Sequence, residues 1–177
     1  MASNRGSRTI AVRRVRIAML GTFSIGASAL AHAANNCAWI NEATASGLLG
    51  GDAVGEVSGP ALGQPAVCTF TQMTAGGRRT LRITVEIVAD AHARVASIAQ
   101  GCGADAGPLK AIGNEALVCA ADDRKAGIGE RVVGRVRDQV FTITIGSTLK
   151  NDPILFSRDV LKSRIYTAAE QVAGNLF

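Results

Sequence analysis

Alternation of apolar and polar residues predicts the strands of this chain. The clearest case is residues 81–87 (LRITVEI), where the period of two indicates one buried and one wet face. A turn at residues 75–78 precedes that segment, and a tight turn is predicted at residues 137–138. Four more strands are predicted, over residues 66–73, 116–121, 131–136 and 139–146. The pattern therefore predicts about five strands, most of them joined by short turns.

End signals predict helices in the first two thirds of the chain. A helix over residues 37–49 has Asn41 as a candidate cap, and Gly50 stops it. Asp90 can cap a second helix that runs through Gln100. The glycine- and proline-rich stretch after the first helix, residues 52–65, predicts a loop.

The last helix is predicted from Asp152, which can act as its cap, and Pro153, which suits the first helical position. An apolar stripe at helical spacing follows and consists of Ile154, Leu161, Ile165, Ala168 and Val172. The order α-β-β-α-β-β-β-α, with short turns between adjacent strands, predicts an α+β fold. We expect an antiparallel sheet with helices packed on it.

The first 33 residues have the layout of a cleavable export signal. Arginines without any acidic residue precede an apolar run of fifteen at residues 17–31, and residues 31–33 (AHA) supply the cleavage pattern. The run is shorter than the roughly 20 residues of a membrane-spanning helix. We expect residues 34–177 to form one domain without a stable membrane span, periplasmic or secreted after cleavage. The arginine pair at residues 13–14 departs from the twin-arginine pattern at its neighbours, which favours general secretion.

The basic character of the chain belongs to this signal. Five of the 19 basic residues lie in it, which leaves 14 basic against 14 acidic residues in the exported part. A balanced charge removes the main support for a nucleic-acid partner or an anionic membrane surface. Local arginine clusters are interpreted as solvated surface: Arg78 with Arg79, and Arg131 with Arg135 and Arg137.

The four cysteines, Cys37, Cys68, Cys102 and Cys119, all lie in the exported part. An even number of cysteines in an exported protein predicts two disulfides. Of the three possible pairings, Cys37–Cys68 with Cys102–Cys119 keeps both loops short and closes each half of the domain on itself. A zinc site or a redox pair would use a Cys-x-x-Cys motif, whereas no two of these cysteines are closer than 17 positions.

Two segments resemble a known group of proteins. Cys37 leads into a short helix that ends at residues 48–50 (LLG), and residues 68–70 (CTF) follow on a strand. Residues 109–116 (LKAIGNEA) resemble a turn of the form v-x-G-i-G-d-x-A, with Ala111 in place of its first glycine. Both resemble small secreted bacterial domains of unknown function with a PsbP-like α+β fold. The resemblance covers most of the exported part; it implies a fold and an exported location, and it implies no activity.

Few residues are candidates for catalysis. His92 is the single histidine after residue 33, and its nearest acids in the sequence are Glu86 and Asp90, the second of which is better explained as a helix cap. A carboxylate pair such as Glu86 with Glu115 cannot be recognised from spacing. Asp122 and its acidic neighbour lack the spacing of a calcium loop. His92, Glu86, Glu115 and Asp122 are the strongest candidates, but we predict no catalytic set, cofactor or metal site.

Export, disulfides, balanced charge and the lack of a catalytic motif together favour a binding role. We therefore predict an exported, non-enzymatic domain that binds a partner protein, an envelope component or a small ligand. The alternative is a secreted hydrolase that uses a carboxylate pair. Two carboxylates with raised pKa values in one deep pocket would favour the hydrolase, and a shallow surface without such a pair would favour binding.

Overall fold

One antiparallel sheet and three helices make up the described part of the chain. The computed structural model describes residues 36–59, 64–121, 127–149, 151–155 and 157–177. The elements are α1 (Glu42–Leu49), β1 (Val54–Ser58), β2 (Ala66–Thr74), β3 (Gly77–Ile87), α2 (Ala91–Ala99), β4 (Gly107–Leu109), β5 (Glu115–Ala120), β6 (Ile128–Val136), β7 (Gln139–Ser147) and α3 (Arg158–Leu176). The strands lie in the order β1-β2-β3-β7-β6-β5-β4. The predicted α+β class is confirmed, whereas the predicted signal and Asp122 lie outside the described residues.

The sheet has seven strands among the described residues, so the prediction of about five was wrong. β1 lies in the segment predicted as a loop, and β4 is a three-residue strand that contains Gly107 and Pro108. Both are edge strands, and each pairs with one longer neighbour, β2 or β5. Each partner is the next strand along the chain, and the pairing compensates for a weak local preference for strand.

Pairing of β3 with β7 joins the two halves of the chain and sets the two faces of the sheet. Ile83 lies opposite Ile143, and both are buried on the face that carries the core. α1 and α3 pack on this core face. Because successive side chains alternate between faces, Arg82 and its partner Thr144 lie on the opposite face. We call this second face the polar face.

The end signals place α1 and α2 correctly. Asn41 caps α1, and Gly50, with a φ of 78°, ends it in the left-handed conformation that glycine adopts without strain. Asp90 caps α2 by accepting a hydrogen bond from a backbone N–H of the first turn. α1 begins directly after its cap and not at Cys37, because the cap residue itself is extended.

The predicted cap of the last helix was wrong. α3 begins at Arg158 with Ser157 as its cap, and Asp152 lies before it. Four members of the predicted stripe are nevertheless buried against the core face: Leu161, Ile165, Ala168 and Val172. The helical period was therefore correct, and the start was placed too early because Asp152 also caps a short turn of its own.

Asp152 forms a buried ion pair with Arg79 of β3. The Arg79 Nε atom lies 2.7 Å from the Asp152 Oδ2 atom, and the two side chains are 5% and 0% exposed. The Ser147 hydroxyl also donates a hydrogen bond to the Asp152 carboxylate. On its other side, Arg79 donates to the Leu49 carbonyl and the Gln72 side-chain oxygen. The pair thus links three strands of the sheet to α1 and to the turn before α3.

Both predicted disulfides are present. Cys37–Cys68 ties the segment before α1 to β2, and Cys102–Cys119 ties the loop after α2 to β5. Two disulfides fit an oxidising, exported environment. Among the described helices, none combines the length and apolar character that a membrane span requires.

Candidate functional site

α2 covers only one end of the polar face. Ala91 and Val95 of this helix pack on Val133 of β6 and Val140 of β7. Further along the same strands, the polar face carries a groove of about 340 Å³, which we call the sheet groove. Its groove-facing polar side chains are those of Arg78, Thr80, Arg82, Arg131, Thr144 and Thr148. The groove lies over the three central strands of the sheet, β3, β7 and β6.

One row of the sheet places two arginines on either side of a threonine. The register pairs Arg82 with Thr144, and Thr144 with Arg131. Directly paired residues point to the same face, so all three side chains lie on the groove side. Neighbouring strands are about 4.8 Å apart, which puts the Cα atoms of Arg82 and Arg131 about 10 Å apart.

Glycines form the floor beside this row. Gly129 lies opposite Gly146 in the β6–β7 ladder. A Cβ atom at Gly129 would lie 3.2 Å from the Ile145 carbonyl oxygen, and one at Gly146 would lie 3.1 Å from the Ile128 carbonyl oxygen. Side chains at these positions would crowd the backbone. The two glycines therefore keep the floor open at main-chain level, where a ligand can approach closely.

The sheet groove is positively charged. The described part of its lining contains three arginines and no carboxylate. Among the described residues, no ion pair engages Arg78, Arg82 or Arg131. Arg82 makes a long hydrogen bond of 3.4 Å to the Thr69 hydroxyl, which is a neutral partner. A concave surface lined by one sign of charge attracts ligands of the opposite sign.

Strand alternation separates arginines that are neighbours in the sequence. Arg78 lines the groove, whereas Arg79 is buried in the core, so the interpretation of this pair as solvated surface was wrong for Arg79. Arg131 lines the groove, and Arg135 instead bonds Glu115 beneath α2. The alternation in residues 81–87 did indicate a wet face. The pairing of that face with β6 is a tertiary feature that no local signal carries.

His92, Glu115 and Arg135 form a second polar cluster, at the end of the polar face that α2 covers. The His92 Nδ1 atom lies 2.9 and 3.0 Å from the two carboxylate oxygens of Glu115, and Arg135 donates a hydrogen bond to the same carboxylate. Partial burial works to raise the pKa of Glu115, but the hydrogen bonds from His92 and Arg135 outweigh it and lower the pKa. The acid that faces His92 is thus Glu115 and neither of its sequence neighbours. The cluster holds a charged carboxylate on the surface, which does not suit a general acid.

Glu86 and Glu115, two of the carboxylates named by the sequence, do not converge. Glu86 pairs with Arg94, with 2.7 Å between carboxylate and guanidinium. Glu86 and Glu115 occupy one row of the sheet but are three strand spacings apart, about 14 Å between Cα atoms. Glycosidase carboxylates are separated by about 5 to 9.5 Å. In the part of the chain that the structure describes, no group of three histidine, cysteine or acidic side chains is placed to hold a metal ion.

Glu130 of β6 is a buried carboxylate with a raised pKa. Its side chain is fully buried on the core face, and neither oxygen has a hydrogen-bond partner within the described residues. Burial raises the pKa, and the positive charges of Arg158 and Lys162 oppose the rise. The nearest Arg158 nitrogen lies 3.8 Å away. Glu130 does not line the sheet groove and has no exposed surface, so it is not placed to exchange a proton with a ligand there.

Replacing Glu130 by methionine is expected to stabilise the protein at pH 7 by about 1 kcal/mol or more, because it removes a buried carboxylate that lacks hydrogen bonds. When folding raises the pKa of an acid, the protein loses stability as the pH rises above the ordinary pKa of that acid, which is 4.5 for glutamate. The gain should therefore shrink toward pH 4 in urea unfolding curves. Glu170→Met, at an exposed position of α3, is the matched control and should change stability by less than about 0.5 kcal/mol. Equal effects of the two substitutions would contradict this explanation.

Comparison with known proteins adds no family to these observations. No protein-family model, no curated protein and no solved structure matches the chain. The functional conclusion therefore depends on the fold and on the chemistry of the sheet groove.

Proposed function

We propose that this protein is an exported, non-enzymatic binding domain whose sheet groove holds a small ligand. The proposal depends on one observation, the composition of the groove. Threonine hydroxyls, arginine guanidinium groups and bare glycine backbone line a concave site of about 340 Å³. Small-molecule sites span about 300 to 1,000 Å³. Among a partner protein, an envelope component and a small ligand, the size of the groove favours the small ligand.

The side chains of the groove suit binding better than proton transfer. Threonine hydroxyls donate and accept hydrogen bonds, and arginine stays charged at any ordinary pH. General acid–base catalysis instead requires a group whose pKa lies near the working pH. The described residues that line the groove include no histidine, cysteine, lysine or carboxylate. These described side chains would therefore hold and orient a ligand without transferring a proton to or from it.

Export supports a ligand outside the cytoplasm. The apolar run at residues 17–31, behind an arginine-rich head, favours passage through a membrane. Two disulfides then stabilise the folded domain in an oxidising compartment. We propose that the domain acts in the periplasm or after secretion.

A bulky side chain in the groove is expected to weaken ligand binding. In Thr144→Phe an aromatic ring replaces the hydroxyl between the two arginines, so it occupies the centre of the site. Ligands found by NMR screening of a small-molecule library against the purified protein should lose affinity at least tenfold in this variant. Phenylalanine suits a strand, so the variant is expected to fold.

Thr142→Phe provides the matched control. It places the same side chain on the same strand and face, two residues away and outside the groove lining. Affinity in this variant should stay within about twofold of the wild type. Equal losses in Thr142→Phe and Thr144→Phe, or no loss in either, would show that the ligands bind elsewhere.

A further inference from the structure

We infer that the ligand of the sheet groove carries two oxyanion groups, one held by Arg82 and the other by Arg131. This inference rests on the proposed binding function and adds the chemistry of the ligand. Phosphoryl and carboxylate groups share the required property, because each can accept two parallel hydrogen bonds from one guanidinium group. The occupant is a soluble small molecule that bears two such groups.

The register of the central strands sets the spacing of the two guanidinium groups. Arg82 and Arg131 flank Thr144 in one row, about 10 Å apart at their Cα atoms. A ligand with one oxyanion engages one arginine and leaves the other unpaired. A ligand with two oxyanions engages both, and the Thr144 hydroxyl can donate a hydrogen bond to the atoms between them.

Most described arginines outside the groove have a carboxylate partner, although Arg137 and Arg164 have none among the described residues. Four arginines outside it have a carboxylate partner: Arg79 with Asp152, Arg94 with Glu86, Arg135 with Glu115, and Arg158 with Asp105. Within the same described residues, Arg78, Arg82 and Arg131 have none, although they lie close together. Like charges held together repel one another, and a bound dianion removes that repulsion. Arg78, at the start of β3, adds to the attraction for an anion.

The position and shape of the groove favour a small molecule over a peptide or a lipid surface. Peptides that join a sheet bind at its edges, whereas this groove lies over the central strands β3, β7 and β6. A flat membrane surface cannot reach a floor formed by Gly129 and Gly146. A compact molecule can reach it, and about 340 Å³ accommodates one.

Calorimetric titration of the purified protein with soluble anions tests this inference. Tripolyphosphate and citrate carry several oxyanions, and orthophosphate and acetate serve as their single-group counterparts at equal ionic strength. We expect at least one multi-group anion to bind tenfold or more tightly than its counterpart. Arg82→Gln and Arg131→Gln should each remove most of that advantage, with a loss of tenfold or more.

Arg137→Gln is the matched control, because it removes the same charge from the exposed turn between β6 and β7, outside the groove lining. Its effect should be less than twofold. The inference is overturned by equal affinity for single-group and multi-group anions, by equal losses in all three variants, or by no binding of either multi-group anion. Binding to vesicles of anionic phospholipid without binding of the soluble anions also overturns it, in favour of a membrane surface.

The same variants separate this inference from the proposed function. Some library ligands could lose affinity in Thr144→Phe but bind normally to Arg82→Gln and Arg131→Gln. That result would support the groove as the binding site and overturn the inference that its ligand carries two oxyanion groups. Ligands unaffected by Thr144→Phe would overturn the groove itself.

Discussion

Asp152→Asn is expected to lower the free energy of unfolding by about 3 to 5 kcal/mol at pH 7. The Asp152 carboxylate is fully buried and bonded to Arg79, whose side chain is 5% exposed. Asparagine keeps the shape but removes the negative charge, so the Arg79 guanidinium group stays buried without a counter-charge. Urea unfolding followed by circular dichroism measures the loss.

Two comparisons show whether the charge is the cause. Asp159→Asn changes an exposed acid in the first turn of α3 and should cost less than about 1 kcal/mol. The double variant Arg79→Met/Asp152→Leu removes both charges, and it should be less destabilised than Asp152→Asn because no buried charge stays unpaired. A loss below about 1 kcal/mol in Asp152→Asn would mean that the pair has little role in stability.

The pH dependence of Asp152 follows from the same contacts. Burial works to raise the pKa of Asp152, but hydrogen bonds from Arg79, Ser147 and two backbone N–H groups outweigh it and hold the pKa well below its ordinary value of 3.8. When folding lowers the pKa of an acid, the charged acid stabilises the protein at pH values above its unfolded-state pKa. The protein loses that contribution as the pH falls below this value. Stability of the wild type should therefore fall below about pH 4, and more steeply than in Asp152→Asn.

Replacing Cys37 and Cys68 together by alanine is expected to cost about 3 to 4 kcal/mol, because an open chain has more conformational entropy when unfolded. The bridge spans a sequence separation of 31, and Cys68 is buried in the core at 1% exposure. Urea unfolding of the oxidised protein measures the loss. Peptide mapping of the wild type without reductant should recover the two predicted linked fragments and no free thiol.

The second bridge provides the comparison. Cys102–Cys119 spans a shorter separation of 17, so its replacement by alanine should cost slightly less, about 3 kcal/mol. Reductant should destabilise the wild type through both bridges and each variant only through the bridge that it retains. A linked fragment that joins Cys37 to Cys102 would contradict the arrangement of the two halves of the fold.

Local signals were sufficient for the elements that have strong patterns of their own. The alternation in residues 81–87 predicted most of β3, and Asn41 and Asp90 predicted the starts of α1 and α2. The strands β1 and β4 were missed because they contain glycine or proline and depend on pairing with β2 and β5. Asp152 was misread for a similar reason. Its partner Arg79 lies 73 residues away, whereas the cap-like sequence Asp-Pro is local.

The candidate site was less predictable than the fold. Arg82, Thr144 and Arg131 belong to three different strands, and only the pairing of β3 with β7 and of β7 with β6 brings them into one row. The contact of His92 with Glu115 depends in the same way on packing of α2 against the sheet. The spacing of these residues along the chain predicts neither the row nor the contact. Composition was the basis for predicting no catalytic set, but it could not locate a binding surface.

The most direct test of the sheet groove is the ¹H–¹⁵N correlation spectrum of the purified protein, recorded with and without each small molecule that binds it. We expect the shift changes to concentrate on the row formed by Arg82, Thr144 and Arg131, with little change at His92 and Glu115. Shift changes centred on His92 and Glu115 with an unperturbed row would contradict the groove as the binding site.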